Sequence, residues 1–177
     1  MTKNNKTINE LNLLYTNIME FLKNCNIKLI LFYGSLLGYY RDNSFINMDD
    51  DIDVIISDND FKILLAYIKN NNIATYNIKI GINYPNLIQL FYNDIGPFDI
   101  YRYEYHNNDI LIKWDGNLLY EKNIIYPLKQ VKFNNYDIYI PNLTEKILLM
   151  TYGENWTIRQ TKNIDYVWNN INTVRKL

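Results

Sequence analysis

The stretch FYGSLLGYYRDNSFINMDDDIDVII, residues 32–56, decides the fold because it joins two apolar segments through a Gly-Ser break and a group of acids. The first apolar segment ends at Gly34-Ser35, helical spacing follows, and a polar loop then leads to the acids. If residues 51–56 form a strand, alternation places Asp51 and Asp53 on one face and their apolar neighbours on the other. The stretch therefore predicts two carboxylates that converge beside a buried strand.

Two converging carboxylates need a cation. At an effective dielectric constant near 20 and a separation of about 5 Å, each like-charge pair costs roughly 3 kcal/mol. Hard oxygen ligands favour Mg²⁺ or Mn²⁺ among the metal ions that proteins bind. The pair Asp51 and Asp53 therefore predicts a divalent metal site.

Two other structures are compatible with a run of acids. A solvated acidic turn is the common one, but here the acids lead directly into the buried-type segment Val54-Ile55-Ile56. The spacing Asp49-x-Asp51-x-Asp53 is also that of the start of a calcium loop. Such a loop needs Gly next and Glu at its twelfth position, where this chain has Val54 and Asp60.

Two further features point to the chemistry of phosphates. Gly34-Ser35 lies at a predicted strand-to-helix junction, where free N–H groups and the helix dipole favour a phosphate group. Asp99 lies inside a predicted strand between Phe98 and Ile100. If that strand is next to residues 51–56, Asp99 joins the acid pair. It then binds metal and accepts the proton of an attacking hydroxyl, while Asp51 and Asp53 share up to two metal ions.

The composition limits the class of protein. Apolar residues make up 48% of the 177 residues, which is typical of a globular chain with a real core. The 18 basic and 19 acidic residues leave no basic excess for nucleic-acid binding. One cysteine excludes an internal disulfide, no apolar run has the length of a membrane span, and the N-terminal residues lack the apolar core of a signal peptide. We therefore expect a cytoplasmic protein.

The periodicity of apolar residues predicts a mixed α+β fold in one domain over residues 1–177. Thr7 and Glu10 form a capping box for the first helix, and Ser57 or Asp58 caps the third. The predicted helices are 8–24, 34–41, one that follows Ser57, 143–152 and 163–176. The predicted strands are 28–33, 51–56, 74–82, 87–92, 98–105, 110–114, 130–133 and 137–140. Turns are predicted at 84–86, 96–97, 106–109, 115–116 and 134–135.

The motifs resemble those of known transferases. Gly34-Ser35, then Asp51-x-Asp53, then a later strand Asp resembles the nucleotidyltransferase (polymerase-beta-like) superfamily. Residues 33–41 (YGSLLGYYR), 45–46 (FI) and 49–53 (DDDID) resemble the LicD family, which includes fukutin-related glycan-modifying proteins. Weaker matches follow in order at residues 98–101, 126–129 with Phe133, 140–141 and 152–156, so the resemblance covers about residues 8–156.

The resemblance implies a nucleotidyltransferase-like fold, a mixed sheet flanked by helices, and a phosphotransferase activity. LicD-like proteins move a phosphorylated small alcohol, such as phosphocholine or ribitol phosphate, from a CDP-linked donor to a sugar hydroxyl. Carried over, Asp51 and Asp53 hold Mg²⁺ and Asp99 lies by the acceptor hydroxyl. Gly34 and Ser35 hold donor phosphate, and Arg41 either reaches a phosphate or braces the loop that carries the acids.

Two departures and two alternatives accompany that expectation. Ser35 replaces the usual Thr of the family, which keeps the hydroxyl, and Asn47-Met48 replaces Pro-Trp, which changes the surface beside the acids. The alternatives are transfer of a nucleoside monophosphate from a nucleoside triphosphate to a small molecule, and an inactive module that binds a nucleotide or sugar. The sequence predicts neither the alcohol, nor the acceptor, nor an oligomeric state.

Overall fold

A mixed β-sheet flanked by helices forms the framework of the chain. The computed structural model describes residues 5–112, 118–159 and 175–176. In these residues the helices are α1 (Ile8–Leu22), α2 (Tyr33–Asp42), α3 (Asp58–Asn70), α4 (Lys122–Ile125) and α5 (Thr144–Tyr152). The strands are β1 (Ile30–Leu31), β2 (Ile52–Ser57), β3 (Ile78–Tyr84), β4 (Leu87–Tyr92), β5 (Ile95–His106), β6 (Asp109–Ile112), β7 (Leu118–Glu121), β8 (Lys129–Phe133), β9 (Tyr136–Ile140) and β10 (Arg175–Lys176). The predicted α+β class is confirmed.

The strand that follows the acids lies inside the sheet. The order is β10-β7-β6-β5-β2-β1-β9-β8, and β4 joins β3 to β5. Strand β2 is antiparallel to β1 and parallel to β5. In the β2–β5 register Asp53 is the partner of Asp99. Two strands that are distant in sequence therefore bring two acids side by side.

Local signals account for where several elements begin. The capping box at α1 is confirmed, because the Thr7 N–H donates to Glu10 Oε2 at 2.8 Å and the Glu10 N–H donates to Thr7 Oγ1 at 3.3 Å. Ser57 caps α3 by accepting from the Asp60 N–H at 3.1 Å. The Asn134-Asn135 turn between β8 and β9 has both residues at positive φ, as a tight hairpin requires.

The hydrophobic core lies next to the acid loop, by which we mean residues 46–51 before β2. Helix α1 packs on β4 and β5 through a buried stripe that includes Leu14, Tyr15 and Ile18. The Tyr15 ring stacks at 6.4 Å from that of Phe98 and meets that of Phe45 edge-on at 5.5 Å. Phe98 precedes Asp99 and Phe45 precedes the acid loop, so one core cluster holds both.

Three predicted boundaries were wrong. Residues 73–76 form a 3₁₀ turn, so the strand predicted from 74 begins at Ile78. Gly96-Pro97 does not break the chain but lies within β5, because the β4–β5 register shifts between Leu90 and Tyr92. A bulge of this kind tolerates the missing N–H of proline. The strand predicted over 28–33 is shorter, because Tyr33 already begins α2.

Other predictions fall partly outside the described residues. The turn at 115–116, residues 113–114 of the predicted strand 110–114, and residues 163–174 of the predicted last helix lie there. The final two residues of that predicted helix, Arg175 and Lys176, instead pair with β7 as a strand. Strand β7 and helix α4 were not predicted.

Three predictions concern the whole chain: the absence of a membrane span, the number of domains and the location. Among the described helices, none is both long enough and apolar enough to cross a bilayer. A single domain over residues 1–177 and a cytoplasmic location stay predictions.

Candidate active site

Three aspartates meet where β2 and β5 run side by side. Oxygens of Asp51, Asp53 and Asp99 lie within 4.8 Å of one another, and we call these residues the inner acid triad. Asp53 and Asp99 are 6% and 4% exposed, so neither carboxylate is solvated as a surface acid would be. The structure therefore brings together the three acids that the sequence singled out.

The start of α2 holds the backbone of Asp53. The Asp53 N–H donates to Ser35 Oγ at 2.9 Å, and the Phe32 N–H donates to the Asp53 carbonyl at 3.1 Å. Ser35 is 2% exposed, so this hydroxyl acceptor is part of the interior. Phe32 and Ser35 thus fix both polar groups of the Asp53 main chain, and with them the direction of its side chain.

Gly34 leaves room for another carboxylate. A Cβ at this position would lie 2.8 Å from Asp49 Oδ2. Asp49 thus rests on the first turn of α2, where the helix dipole favours an anion. The roles predicted for Gly34 and Ser35 toward donor phosphate stay predictions. The structure shows both residues in contact with acids of the chain itself.

A second acid group lies beside the first. Oxygens of Asp49, Asp50 and Asp51 also lie within 4.8 Å of one another, and we call these residues the outer acid triad. Lys6, the cation that lies against this triad, was not predicted from the sequence. The Lys6 N–H donates to the Asp49 carbonyl at 2.7 Å and Lys6 Nζ donates to the Asp50 carbonyl at 2.6 Å. No local pattern marked this lysine, because its partners are 43 and 44 residues away.

The two oxygens of Asp99 have different surroundings. Oδ2 accepts from the Tyr101 hydroxyl at 3.2 Å and from Gln89 Nε2 at 3.3 Å. Oδ1 is buried and has no hydrogen-bond partner among the described residues. Neither Gln89 nor Tyr101 was predicted from the sequence as a site residue. One signal was present: Gln89 is the polar residue in the otherwise apolar run 87–91.

Burial dominates the electrostatics of the acids. It raises the pKa of Asp99 to about 7, against the lowering effect of the hydrogen bonds from Gln89 and Tyr101. Burial, and then the charges of Asp51, Asp99 and Asp49, raise the pKa of Asp53 well above its usual range. Burial, and then the charges of Asp53, Asp49 and Asp51, also raise the pKa of Tyr152, at the end of α5. The site therefore strongly favours a positive partner for its carboxylates.

The residues fit a divalent metal ion. Hard oxygen donors converge from three side chains, and the buried Asp99 Oδ1 has a lone pair that no described residue uses. A Mg²⁺ or Mn²⁺ ion among these oxygens would supply the missing positive charge. The acid triad required for such a site is present.

Arg41 contacts Asp42 and Trp156, at the C-terminal end of α2. Its Nε and Nη2 donate to Asp42 Oδ2 at 3.1 and 2.9 Å, and Nη1 donates to the Trp156 carbonyl at 3.4 Å. Arg159 pairs with the other oxygen of Asp42 at 3.0 Å. These contacts tie the end of α2 to the segment after α5. A phosphate contact by Arg41 stays a prediction.

Gly38, at the centre of α2, lets the following loop approach the helix backbone. A Cβ on Gly38 would lie 2.5 Å from the Ser44 carbonyl oxygen and 3.1 Å from the Ile46 nitrogen. The loop that carries the acids therefore packs directly on the helix backbone. Met48, which precedes the acids, is 46% exposed and has a φ of 65°.

Solved structures share this architecture. The crystal structure of the lincosamide antibiotic adenylyltransferase LnuA, lincomycin-bound, matches with a TM-score of 0.56 and 16% identity, over 96% of this chain and 97% of that one. The crystal structure of ANT(2")-Ia in complex with adenylyl-2"-tobramycin matches with a TM-score of 0.55 and 12% identity, over 92% of this chain and 84% of that one. At these identities the matches show the fold, which is that of nucleotidyltransferases as predicted.

Sequence comparisons identify the family. The chain is 30% identical over 132 residues to the "Uncharacterized protein RT0683" of Rickettsia typhi, a match that spans 69% of this chain and 38% of that protein. The family described as LicD/FKTN/FKRP, nucleotidyltransferase domain, matches residues 26–143, which include both acid triads and the start of α2. The chain therefore belongs to the LicD/FKTN/FKRP nucleotidyltransferase-domain family.

Proposed function

We propose that this chain is a metal-dependent transferase that moves a phosphorylated alcohol from a CDP-linked donor to a hydroxyl of a sugar or glycan. The observation that carries the proposal is the inner acid triad, with its buried Asp99 Oδ1 that has no hydrogen-bond partner among the described residues. The family assignment supports the class of donor, and the acids of the family motif, Asp49, Asp50, Asp51 and Asp53, are intact.

The inner acid triad has a defined task in this proposal. Asp51, Asp53 and Asp99 hold Mg²⁺ or Mn²⁺, and Ser35 keeps Asp53 in place by accepting its N–H. The bound ion supplies positive charge to the phosphate oxygens of the donor. Gly34 and Ser35 lie at the start of α2, where free N–H groups favour the donor phosphates.

Asp99 is the proposed proton acceptor. The acceptor hydroxyl oxygen forms a bond to the phosphorus that carries the alcohol, and the bond from that phosphorus to the bridging oxygen breaks. CMP leaves with the bridging oxygen, and the hydroxyl proton goes to Asp99. Gln89 and Tyr101 occupy Oδ2, so Oδ1, which has two lone-pair sites, is the oxygen that would meet both the metal ion and the hydroxyl proton.

A second activity is favoured by the structural neighbours. LnuA is named an adenylyltransferase, and ANT(2")-Ia is named with an adenylylated tobramycin. The same acids would serve transfer of a nucleoside monophosphate from a nucleoside triphosphate to a small molecule, because both reactions displace a phosphate oxygen at phosphorus. A binding module without turnover is the third alternative.

Thermal unfolding with candidate donors separates these activities. We expect CDP-choline or CDP-ribitol to raise the melting temperature when Mg²⁺ is present and to have little effect in EDTA. A donor at 100 times its dissociation constant adds about 2.7 kcal/mol of stability. Stabilisation by nucleoside triphosphates alone would favour the second activity. A lack of response to any donor or metal ion would contradict both.

Asp53→Asn separates a catalyst from a binding module. Product formation with the preferred donor should fall by several orders of magnitude in a catalyst, because a metal ligand is lost. A binding module should keep its affinity for the nucleotide. Asp137→Asn is the matched control, since this acid is 55% exposed on β9 and should leave product formation unchanged.

A further inference from the structure

The two acid triads share Asp51 but have different neighbours. The inner triad contains the Asp99 oxygen that has no hydrogen-bond partner among the described residues. The outer triad, Asp49, Asp50 and Asp51, has the ammonium group of Lys6 against its backbone. The outer triad is therefore either a second metal site or the binding place of the Lys6 side chain.

Both the main chain and the ammonium group of Lys6 form hydrogen bonds to the outer triad residues. Its main chain pairs with Asp49 as an isolated antiparallel bridge, and its ammonium donates to the Asp50 carbonyl at 2.6 Å. The residue is only 7% exposed. The next residue, Thr7, begins the capping box of α1, so the helix start determines where Lys6 can lie. A buried ammonium group needs nearby negative charge, which the outer triad provides.

We propose that the Lys6 ammonium is the resident cation of the outer acid triad and positions Asp51 for the inner one. The outer triad is then not a metal site. A divalent ion placed there would be repelled by the adjacent ammonium. Lys6 is a positioning residue, since it acts through the acid loop. The inference rests on the proposed function only in that the inner triad is taken as the metal site.

The first test measures the melting temperature of charge variants in the absence of metal ions. Among the carboxylates, Asp50 exerts the largest attraction on Lys6. If Lys6 is the partner of these acids, Asp50→Asn lowers the melting temperature in EDTA, because the buried ammonium loses attraction. In a Lys6→Met background the same change should raise the melting temperature or leave it unchanged, because it then relieves repulsion among acids. Equal effects of Asp50→Asn in both backgrounds would overturn the proposal.

The single variant keeps the proposal testable if Lys6→Met does not fold. Asp50→Asn alone would raise the melting temperature of the otherwise unchanged chain if repulsion among the acids dominated. That result contradicts a resident cation. Lys6→Arg keeps the charge and should keep most of the stability. Lys132→Met, at a lysine that is 74% exposed, is the matched control and should be nearly neutral.

Binding of Mn²⁺, followed by electron paramagnetic resonance, supplies a readout that loss of packing would not change. We expect Lys6→Met to bind one more Mn²⁺ ion than the unchanged chain, because the outer triad is then without its cation. Lys6→Arg should bind the same number as the unchanged chain. An unchanged number in Lys6→Met would overturn the proposal. If the unchanged chain binds no Mn²⁺, the proposed function fails, and the melting-temperature comparison still decides the role of Lys6.

Discussion

At the scale of single residues, Asp99 depends on side chains that hold one of its two oxygens. Tyr101→Phe and Gln89→Leu together remove both donors to Oδ2 while keeping side chains of similar size. We expect the affinity for Mn²⁺, measured by calorimetry, to fall by about 10–100-fold, as is typical when the groups that orient a metal ligand are lost. Tyr105→Phe is the control, because this ring is 53% exposed farther along β5. An affinity within twofold of the unchanged chain would contradict the orienting role.

At the scale of elements, the start of α2 and the start of β2 act as one unit through Ser35. Ser35→Ala leaves the buried Asp53 N–H without its acceptor, which costs about 1–3 kcal/mol in the free energy of unfolding. The variant should also bind Mn²⁺ more weakly, because Asp53 is then less well oriented. Ser57→Ala removes a hydroxyl that accepts an N–H at the cap of α3. Urea unfolding should show a loss for both variants, and Mn²⁺ titration for Ser35→Ala alone.

At the scale of the whole molecule, the net charge of −1 hides a local concentration of buried negative charge. Burial, and then like-charge repulsion, raises the pKa of Asp53, so this acid destabilises the metal-free fold when it is ionised. We expect Asp53→Asn to be more stable than the unchanged chain in EDTA at a pH where Asp53 is ionised, because the variant lacks this buried charge. The variant should also gain less stability from Mg²⁺. Urea unfolding with and without Mg²⁺ measures both, and a less stable variant in EDTA would contradict the repulsion.

The sequence by itself determined the features that depend on near neighbours along the chain. The capping residues Thr7 and Ser57, the Asn134-Asn135 hairpin and the start of α2 all follow from interactions within a few residues. The pattern of residues 32–56 also indicated the acids of the site and the family. These signals are readable because backbone geometry imposes them locally.

The tertiary structure alone decided which distant residues meet. The parallel register of β2 and β5 sets Asp99 beside Asp53, and an antiparallel partner strand brings Gln89 to Asp99. Lys6 reaches the outer acid triad from 44 residues away. Such contacts leave no periodic signal in the sequence, because they arise from burial and charge compensation between segments that only the complete fold brings together.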